Sequence, residues 1–434
     1  MGSHHIDTSA AISGIPRTVP GAVKGAAGAG ILVGLAAFGY GMATHKDLAL
    51  AGFISNFMFW GGMAQGALML VVAMTLAKAR WGRPLKRFAE ALGLMFPIMY
   101  ALLLVFFLIG GLDVYPWMHE QMPPHKAIYL QPGFFVARQA VGLGILIVLS
   151  LAFIRADLRA DFGVAGAKLG DKAPAFWSRF TTGWQGEKIE VEAAANRMLT
   201  LAPAIAILYA LIFSVMAVDL SMSLAPYWYA NMFPAWYFAS AFWSGLVGIA
   251  ILSLTTRRWL GVEHLITPAV YHDIGKLTFG FTMFWGYTSF AQYLAIWYGN
   301  MTEEIGFVLL RTEVEPWASL FRVVVALCFL VPFATLLSRG IKKIPAAYLA
   351  ITSLIAVGIF LERFWVVMPS VQHEADLVTP LAITVGMGLG FLGLFALVTT
   401  TFLSKVPALP VSDPMLQPDP EHVHVHPKHE GHAH

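Results

Sequence analysis

Apolar residues run along this chain in long blocks instead of recurring every three or four positions. Ten such blocks stand out, at about 26–44, 50–77, 88–111, 133–154, 198–219, 234–255, 274–298, 316–337, 344–366 and 378–402. Each is close to the roughly 20 residues that a helix needs to cross the hydrocarbon core of a bilayer. A helix that is apolar on every face has no side to offer to water. The pattern predicts an all-α integral membrane protein of ten transmembrane helices. A polar tail precedes them over 1–25, the longest connection covers 155–197, and a histidine-rich tail follows over 403–434. Residues 1–25 do not read as a signal peptide.

Composition narrows the chemistry. The 434 residues are 58% hydrophobic and only 12% charged, against about 25% charged in a soluble domain. Once the spans are drawn, too little chain remains for a separate catalytic domain. The single cysteine, Cys328, lies inside an apolar block, so disulfides, iron–sulfur clusters and c-type haem attachment all lack ligands. No histidine falls in the middle of a span, which removes the usual ligands of a membrane b-type haem. Neither a catalytic residue nor a metal centre is expected. The histidines from His422 to His434 read as a polar tail with adventitious metal affinity. The net charge of +3 is small, and its cations sit at span edges, so nucleic acid is not an expected partner.

Lysine and arginine set the orientation. The 2–3 loop holds Lys78, Arg80, Arg83, Lys86 and Arg87, and the 4–5 loop holds Arg155, Arg159, Lys168, Lys172, Arg179, Lys188 and Arg197. Arg257, Arg258 and Lys276 follow around the 6–7 loop, and Arg339, Lys342 and Lys343 in the 8–9 loop. The opposite loops carry only Lys46, Lys126 and Arg311. This bias places both termini in the cytoplasm.

Sliding the chain against itself by 183 residues brings Phe59-Trp60-Gly61-Gly62 onto Phe242-Trp243-Ser244-Gly245. Glu90 then falls on Asp273, Leu94 on Leu277 and Phe96 on Phe279, while Arg138 lands one residue from Arg322. The register predicts two four-helix bundles, helices 2–5 over 50–219 and helices 6–9 over 234–366, related by a parallel repeat. Helices 1 and 10, at 26–44 and 378–402, are then peripheral additions.

Ionisable groups near or inside apolar helices are costly and usually face a bundle interior or water. Arg138 and Arg322 lie about two turns inside the outer ends of helices 4 and 8; they either snorkel to the headgroups or orient carboxylates. Asp113, His119, Glu120, His125, Asp219, Glu362, Arg363, His373, Glu374 and Asp376 share that outer side. They read as a solvated surface, a proton exit or a polar quinone pocket, since quinol oxidation needs an acceptor for each hydroxyl and a base for the proton. On the cytoplasmic side Glu90 starts helix 3, and His272, Asp273 and Lys276 start helix 7. Carboxylates there either complement the helix dipole or mark a proton entrance. Gln65, Thr288, Ser289, Gln292 and Tyr293 are the neutral polar residues between the two sides.

Two four-helix bundles flanked by single helices, with no haem ligands, resemble the NrfD/PsrC-like membrane subunits of quinone-linked oxidoreductases. The blocks Tyr271–Leu277 (Tyr-His-Asp-Ile-Gly-Lys-Leu), Phe284–Tyr287 (Phe-Trp-Gly-Tyr) and Gln292–Asn300 (Gln-Tyr-Leu-Ala-Ile-Trp-Tyr-Gly-Asn) narrow the resemblance to ActF-like subunits of bacterial alternative complex III. It covers most of residues 30–402. It implies a quinol:electron-acceptor oxidoreductase in a respiratory or photosynthetic chain. The implied partners are a paralogous NrfD-like subunit, periplasmic iron–sulfur and c-type cytochrome subunits, and membrane lipids. The paralogue is the subunit expected to hold quinol, with a histidine in helix 2 and a His-x-Gly-Arg-type segment after helix 3. Here helix 2 reads Gly-Gly-Met-Ala-Gln-Gly over Gly61–Gly66, and helix 3 ends Gly-Gly-Leu-Asp-Val-Tyr over Gly110–Tyr115. The expected role is therefore a scaffold and proton-translocating subunit with no redox centre or covalently bound cofactor of its own. Its pathway would enter near Glu90, His272, Asp273 and Lys276 and leave near Asp113, Arg138, Asp219, Arg322 and Glu362. A second reading binds quinol here, at Asp113, His119 or Asp219, and a third is a stand-alone secondary transporter.

Overall fold

The computed structural model describes residues 9–372 and 376–416. The histidines from His422 onward, together with His373 and Glu374, lie outside the described residues. Among these residues the long helices are α1 (Gly21–Thr44), α2 (Lys46–Leu76), α3 (Arg83–Leu108), α4 (Pro132–Leu169) and α5 (Glu187–Leu220). They continue with α6 (Phe233–Thr256), α7 (Pro268–Gly299), α8 (Trp317–Leu336), α9 (Pro345–Val367) and α10 (Val378–Lys405). Nine helices among the described residues are long and apolar enough to cross a membrane. The exception is α7, which has the length but mixes His272, Asp273, Lys276 and Gln292 into its apolar sequence.

Local rules account for the helix ends and breaks. Proline opens α4, α7 and α9 at the first turn, where its missing N–H costs nothing. The Gln131 side chain caps α4 by accepting from the Phe134 N–H at 2.6 Å. Pro97 breaks α3 at Leu94–Met95, because its ring displaces the carbonyl one turn back. In α8 a π-turn over Ala326–Leu330 precedes Pro332 and absorbs the same conflict.

The predicted loop 155–197 is largely helical. Apolarity falls off after Ile154, but α4 runs on to Leu169 and α5 starts at Glu187. The extension is held by one buried face: Phe162 stacks on Trp177 at 4.6 Å and meets Phe180 edge-on. Hydropathy marks where a helix becomes amphipathic, not where it stops.

Helix α2 is the centre of the molecule and is buried along nearly its whole length. It packs with α3 and α5, and α4 packs with both, so these four helices close a ring. Helices α6, α7, α8 and α9 close a second ring in the same order. The rings meet where α2 crosses α6. There Gly66 lies against the Ala241 carbonyl and Gly245 against the Gly66–Ala67 peptide, so closely that a Cβ at either position has no room. Outside, α1 and α10 pack through a glycine seam, with Gly34 against Gly390 and Gly393 against the Ala27 carbonyl.

Contacts define two ends. At the basic end the chain before α1 joins the chain around the end of α10: Arg17 N–H donates to Ser404 O at 2.8 Å and Ala408 N–H to Ala11 O at 3.0 Å. Trp259, after α6, donates to Thr18 O at 3.1 Å. The Arg17 guanidinium reaches Ala11 O at 2.9 Å, and burial lowers its pKa to about 10. At the opposite end lie the Lys46–Asp113 pair and the short helix Thr302–Thr312, which is tied to the end of α9.

Candidate functional site

The densest chemistry is a buried ionic cluster at the basic end of the first ring. The start of α3 supplies Arg83, Lys86, Arg87 and Glu90, and the extended part of α4 supplies Asp157 and Asp161 one turn apart. Lys86 Nζ reaches Asp157 at 2.5 Å and Asp413 at 3.2 Å. Arg87 pairs with Glu90 on its own helix and with Asp161 across the ring, and sits 3.2 Å from Asp157. Arg83 reaches Asp413 at 2.9 Å. The segment after α10 closes over the cluster, with the Ser412 N–H and hydroxyl donating to Asp161 at 2.8 and 2.6 Å. One oxygen of Glu90 has no hydrogen-bond partner. Among the described residues, three buried cations thus face four buried carboxylates.

Midway along the ring, Gln65 of α2 donates to the Ser150 hydroxyl of α4 at 3.0 Å. Seven residues of α4 separate Ser150 from Asp157, about 10 Å of helix rise. On the other side, the buried α4 residues between Ser150 and Gln139 are Leu143, Leu146 and Ile147.

At the opposite end of the same ring Asp219 is fully buried at the close of α5. Arg138 grips it with Nε and Nη2, each at 2.9 Å, Gln139 donates at 2.5 Å and the Tyr129 hydroxyl at 2.9 Å. The guanidinium lies 4.0 Å over the Tyr129 ring. Burial, and then the Asp219 charge, hold the Tyr129 phenol above its ordinary pKa, which keeps it a donor. Both Asp219 oxygens already accept hydrogen bonds, so Asp219 offers no free acceptor to a quinol hydroxyl.

The second ring is built differently. Glu362 of α9 is fully buried and accepts from its neighbour Arg363 at 3.1 Å, while its other oxygen has no partner. Arg363 also donates to the Ser240 hydroxyl of α6 and lies 4.6 Å over Tyr237. Towards the basic end Thr278 and Tyr348 lie 3.2 Å apart, and buried Arg257 sits 5.4 Å over the Tyr271 ring.

The structure separates the residues that the sequence suggested. Glu90, Asp219, Arg138 and Glu362 are brought into buried networks. Asp273 pairs with half-exposed Lys276 at 2.7 Å, with His272 at 3.7 Å, near the start of α7. Asp113 forms a surface pair with Lys46 at 2.6 Å, and exposed His119 meets the Asp113 carbonyl at 2.9 Å. Arg322 is also a surface residue, bonded to Glu315. Although Arg138 and Arg322 sit one residue apart in the repeat, only Arg138 has a buried acid opposite it.

Reading along the sequence missed Lys86, Arg87, Asp157, Asp161 and Asp413. One signal was present. Asp157 and Asp161 share a helix face at a spacing of four, and a helix continued past 154 would have carried both inward. No protein-family model matches the sequence, and no curated protein matches it.

Proposed function

We propose that this chain is an ActF-like integral membrane subunit of alternative complex III, a quinol:electron-acceptor oxidoreductase, and that it braces the assembly and carries protons without a redox centre. In this reading α7 is a tenth span. The segment before α1 and the segment after α10 meet at the basic end, which calls for an even number of crossings between them, and α7 leads from there to the short helix Thr302–Thr312. The rings α2–α5 and α6–α9 are the two bundles of a parallel repeat, with α1 and α10 as flanking helices. The basic end faces the cytoplasm of a bacterial inner membrane.

The observation that carries the proton role is the charge imbalance of the buried cluster. Glu90, Asp157, Asp161 and Asp413 outnumber Arg83, Lys86 and Arg87. Unbalanced charge is expensive in a low-dielectric interior, so the cluster takes up one proton, shared as a unit rather than owned by one residue. Gln65 and Ser150 extend the polar path into the bilayer. Beyond them a proton crosses the Leu143–Ile147 stretch on water before reaching the Asp219 network. Quinol is oxidised in the paralogous NrfD-like subunit, next to periplasmic iron–sulfur and c-type cytochrome partners.

The test is proton release per quinol oxidised by the assembled complex in liposomes. Glu90→Gln is expected to lower that ratio while electron transfer continues, and surface Asp273→Asn to leave it unchanged. An unaltered ratio in Glu90→Gln reduces the role to scaffold. A chain that purifies without cytochrome partners sinks the subunit assignment.

A further inference from the structure

A cavity of about 620 Å³ opens among α6, α7, α8, the end of α9 and the short helix Thr302–Thr312, away from the two networks of the first ring; its lining residue Trp236 lies 5.2 Å from the Arg363 guanidinium. Its walls change character along its length. Gly286, Val325 and Phe329 line the part deepest along α7 and α8; Phe329 is 12 residues inside α8, about 18 Å of rise. Trp228, Phe307 and Arg311 line the part beside the end of α9. A mostly apolar channel with a buried guanidinium at one end, and Ser289, Gln292 and the Trp285 indole farther along α7, suits a membrane amphiphile.

The polar end presents donors. Arg311 is 1% exposed and, among the described residues, forms no ion pair. Its guanidinium donates to Phe307 O at 3.1 Å, Val366 O at 2.8 Å and the Ser370 hydroxyl at 2.6 Å, which leaves Nε without a partner. Burial lowers its pKa well below the ordinary value, as befits a cation with no carboxylate against it. Trp228 stacks on Phe307 at 3.6 Å, and its buried indole N–H also has no partner. Arg311 lies 3.4 Å over the same Phe307 ring. The carboxylate of Glu313 also lines the cavity, but it is exposed and screened by water.

We infer that this cavity binds a membrane lipid through its phosphate head group, with phosphate oxygens accepting from Arg311 and Trp228 and an acyl chain lying along α7 and α8. A phosphate supplies both the missing negative charge and oxygens that only accept. Phe290 and Tyr293, exposed on the lining, leave the side of the cleft open to a chain arriving from the bilayer.

The test uses the purified full-length chain in a lipid-free, phosphate-free detergent, with native mass spectrometry of added ligands. Phosphatidylglycerol is expected to bind about tenfold more tightly than diacylglycerol of the same chains, the worth of a charge-assisted hydrogen bond. Arg311→Gln should erase that preference. Trp228→Phe keeps the stack and removes only an unpartnered N–H, so it should fold normally and weaken phosphatidylglycerol about threefold to fivefold. Diacylglycerol binding as well as phosphatidylglycerol would overturn the proposal, as would full affinity in Trp228→Phe. Displacement of the lipid by inorganic phosphate alone would assign the site to a free anion. Displacement by a long-chain quinone would assign it to a carbonyl head group instead.

Discussion

Arg138 and Asp219 are joined by two parallel hydrogen bonds of 2.9 Å, which tie the start of α4 to the close of α5 at the end of the first ring. The acid is fully buried, and the fork supplies its counter-ion.

Removing the fork should be costly. Arg138→Gln is expected to destabilise the protein by about 3–5 kcal/mol, the usual result of stranding one member of a buried pair. Arg322→Gln, at the neighbouring repeat position, breaks only an exposed pair with Glu315 and should leave stability nearly unchanged. Thermal unfolding in detergent measures both. Equal effects would mean that Asp219 does not rely on Arg138.

The α2–α6 crossing should not tolerate a methyl group. Gly66→Ala places a Cβ against the Ala241 carbonyl, and Gly245→Ala places one against the Gly66–Ala67 peptide. Each is expected to cost about 1–3 kcal/mol or more, because backbone cannot yield as a side chain can. Gly280→Ala on α7 meets nothing within 4 Å and should be neutral or slightly stabilising. Melting temperatures of the three variants rank the positions.

Asp413 is the latch of the segment that follows α10. Its carboxylate holds Arg83 at 2.9 Å and Lys86 at 3.2 Å, and Lys86 keeps Asp157 when Asp413 is lost. Asp413→Ala is therefore expected to release residues 406–416 locally without unfolding the helices. Limited proteolysis reads this directly, as cleavage after Lys405 in the variant under conditions that spare the unmodified chain.

Acid should weaken the protein through two exposed carboxylates. Asp376 accepts from the start of α10, with Val378 N–H at 2.8 Å, and Glu315 accepts from Ser319 N–H at 3.1 Å. Hydrogen bonds to Thr379 and Val378 lower the Asp376 pKa, and Ser319 and then Arg322 lower that of Glu315. A depressed acid is protonated first in the unfolded chain. Its stabilisation is thus complete above the ordinary carboxylate range and fades as pH falls through the folded value. Stability is expected to decline below about pH 4–5, and Asp376→Asn should flatten that decline. A pH series of melting curves for the two proteins is the measurement.

Much of the fold was legible along the chain because a bilayer imposes length and apolarity on every crossing segment. Nine of the ten predicted blocks reappear as helices of that kind, and α7 reappears as a long helix of mixed polarity. The chain also exposed Glu90, Asp219 and Glu362, since a carboxylate inside or beside an apolar run stands out on its own. What hydropathy concealed is the partner set. Asp157 and Asp161 read as loop residues because charge begins at Arg155, yet the helix continues and carries them inward to Arg87 and Lys86.

The sequence by itself therefore determined a succession of helices long and apolar enough to cross a membrane, with cations gathered at one end. Those properties follow from residue type and run length alone. Only the tertiary structure decided that Arg138 faces a buried acid while Arg322 faces water, that Asp413 reaches back 330 residues to Arg83, and that Arg311 lines a cavity with no ion pair among the described residues. Pairing depends on which helix faces meet, and those faces are set by packing between helices far apart in the chain, such as the approach of Gly66 to Ala241.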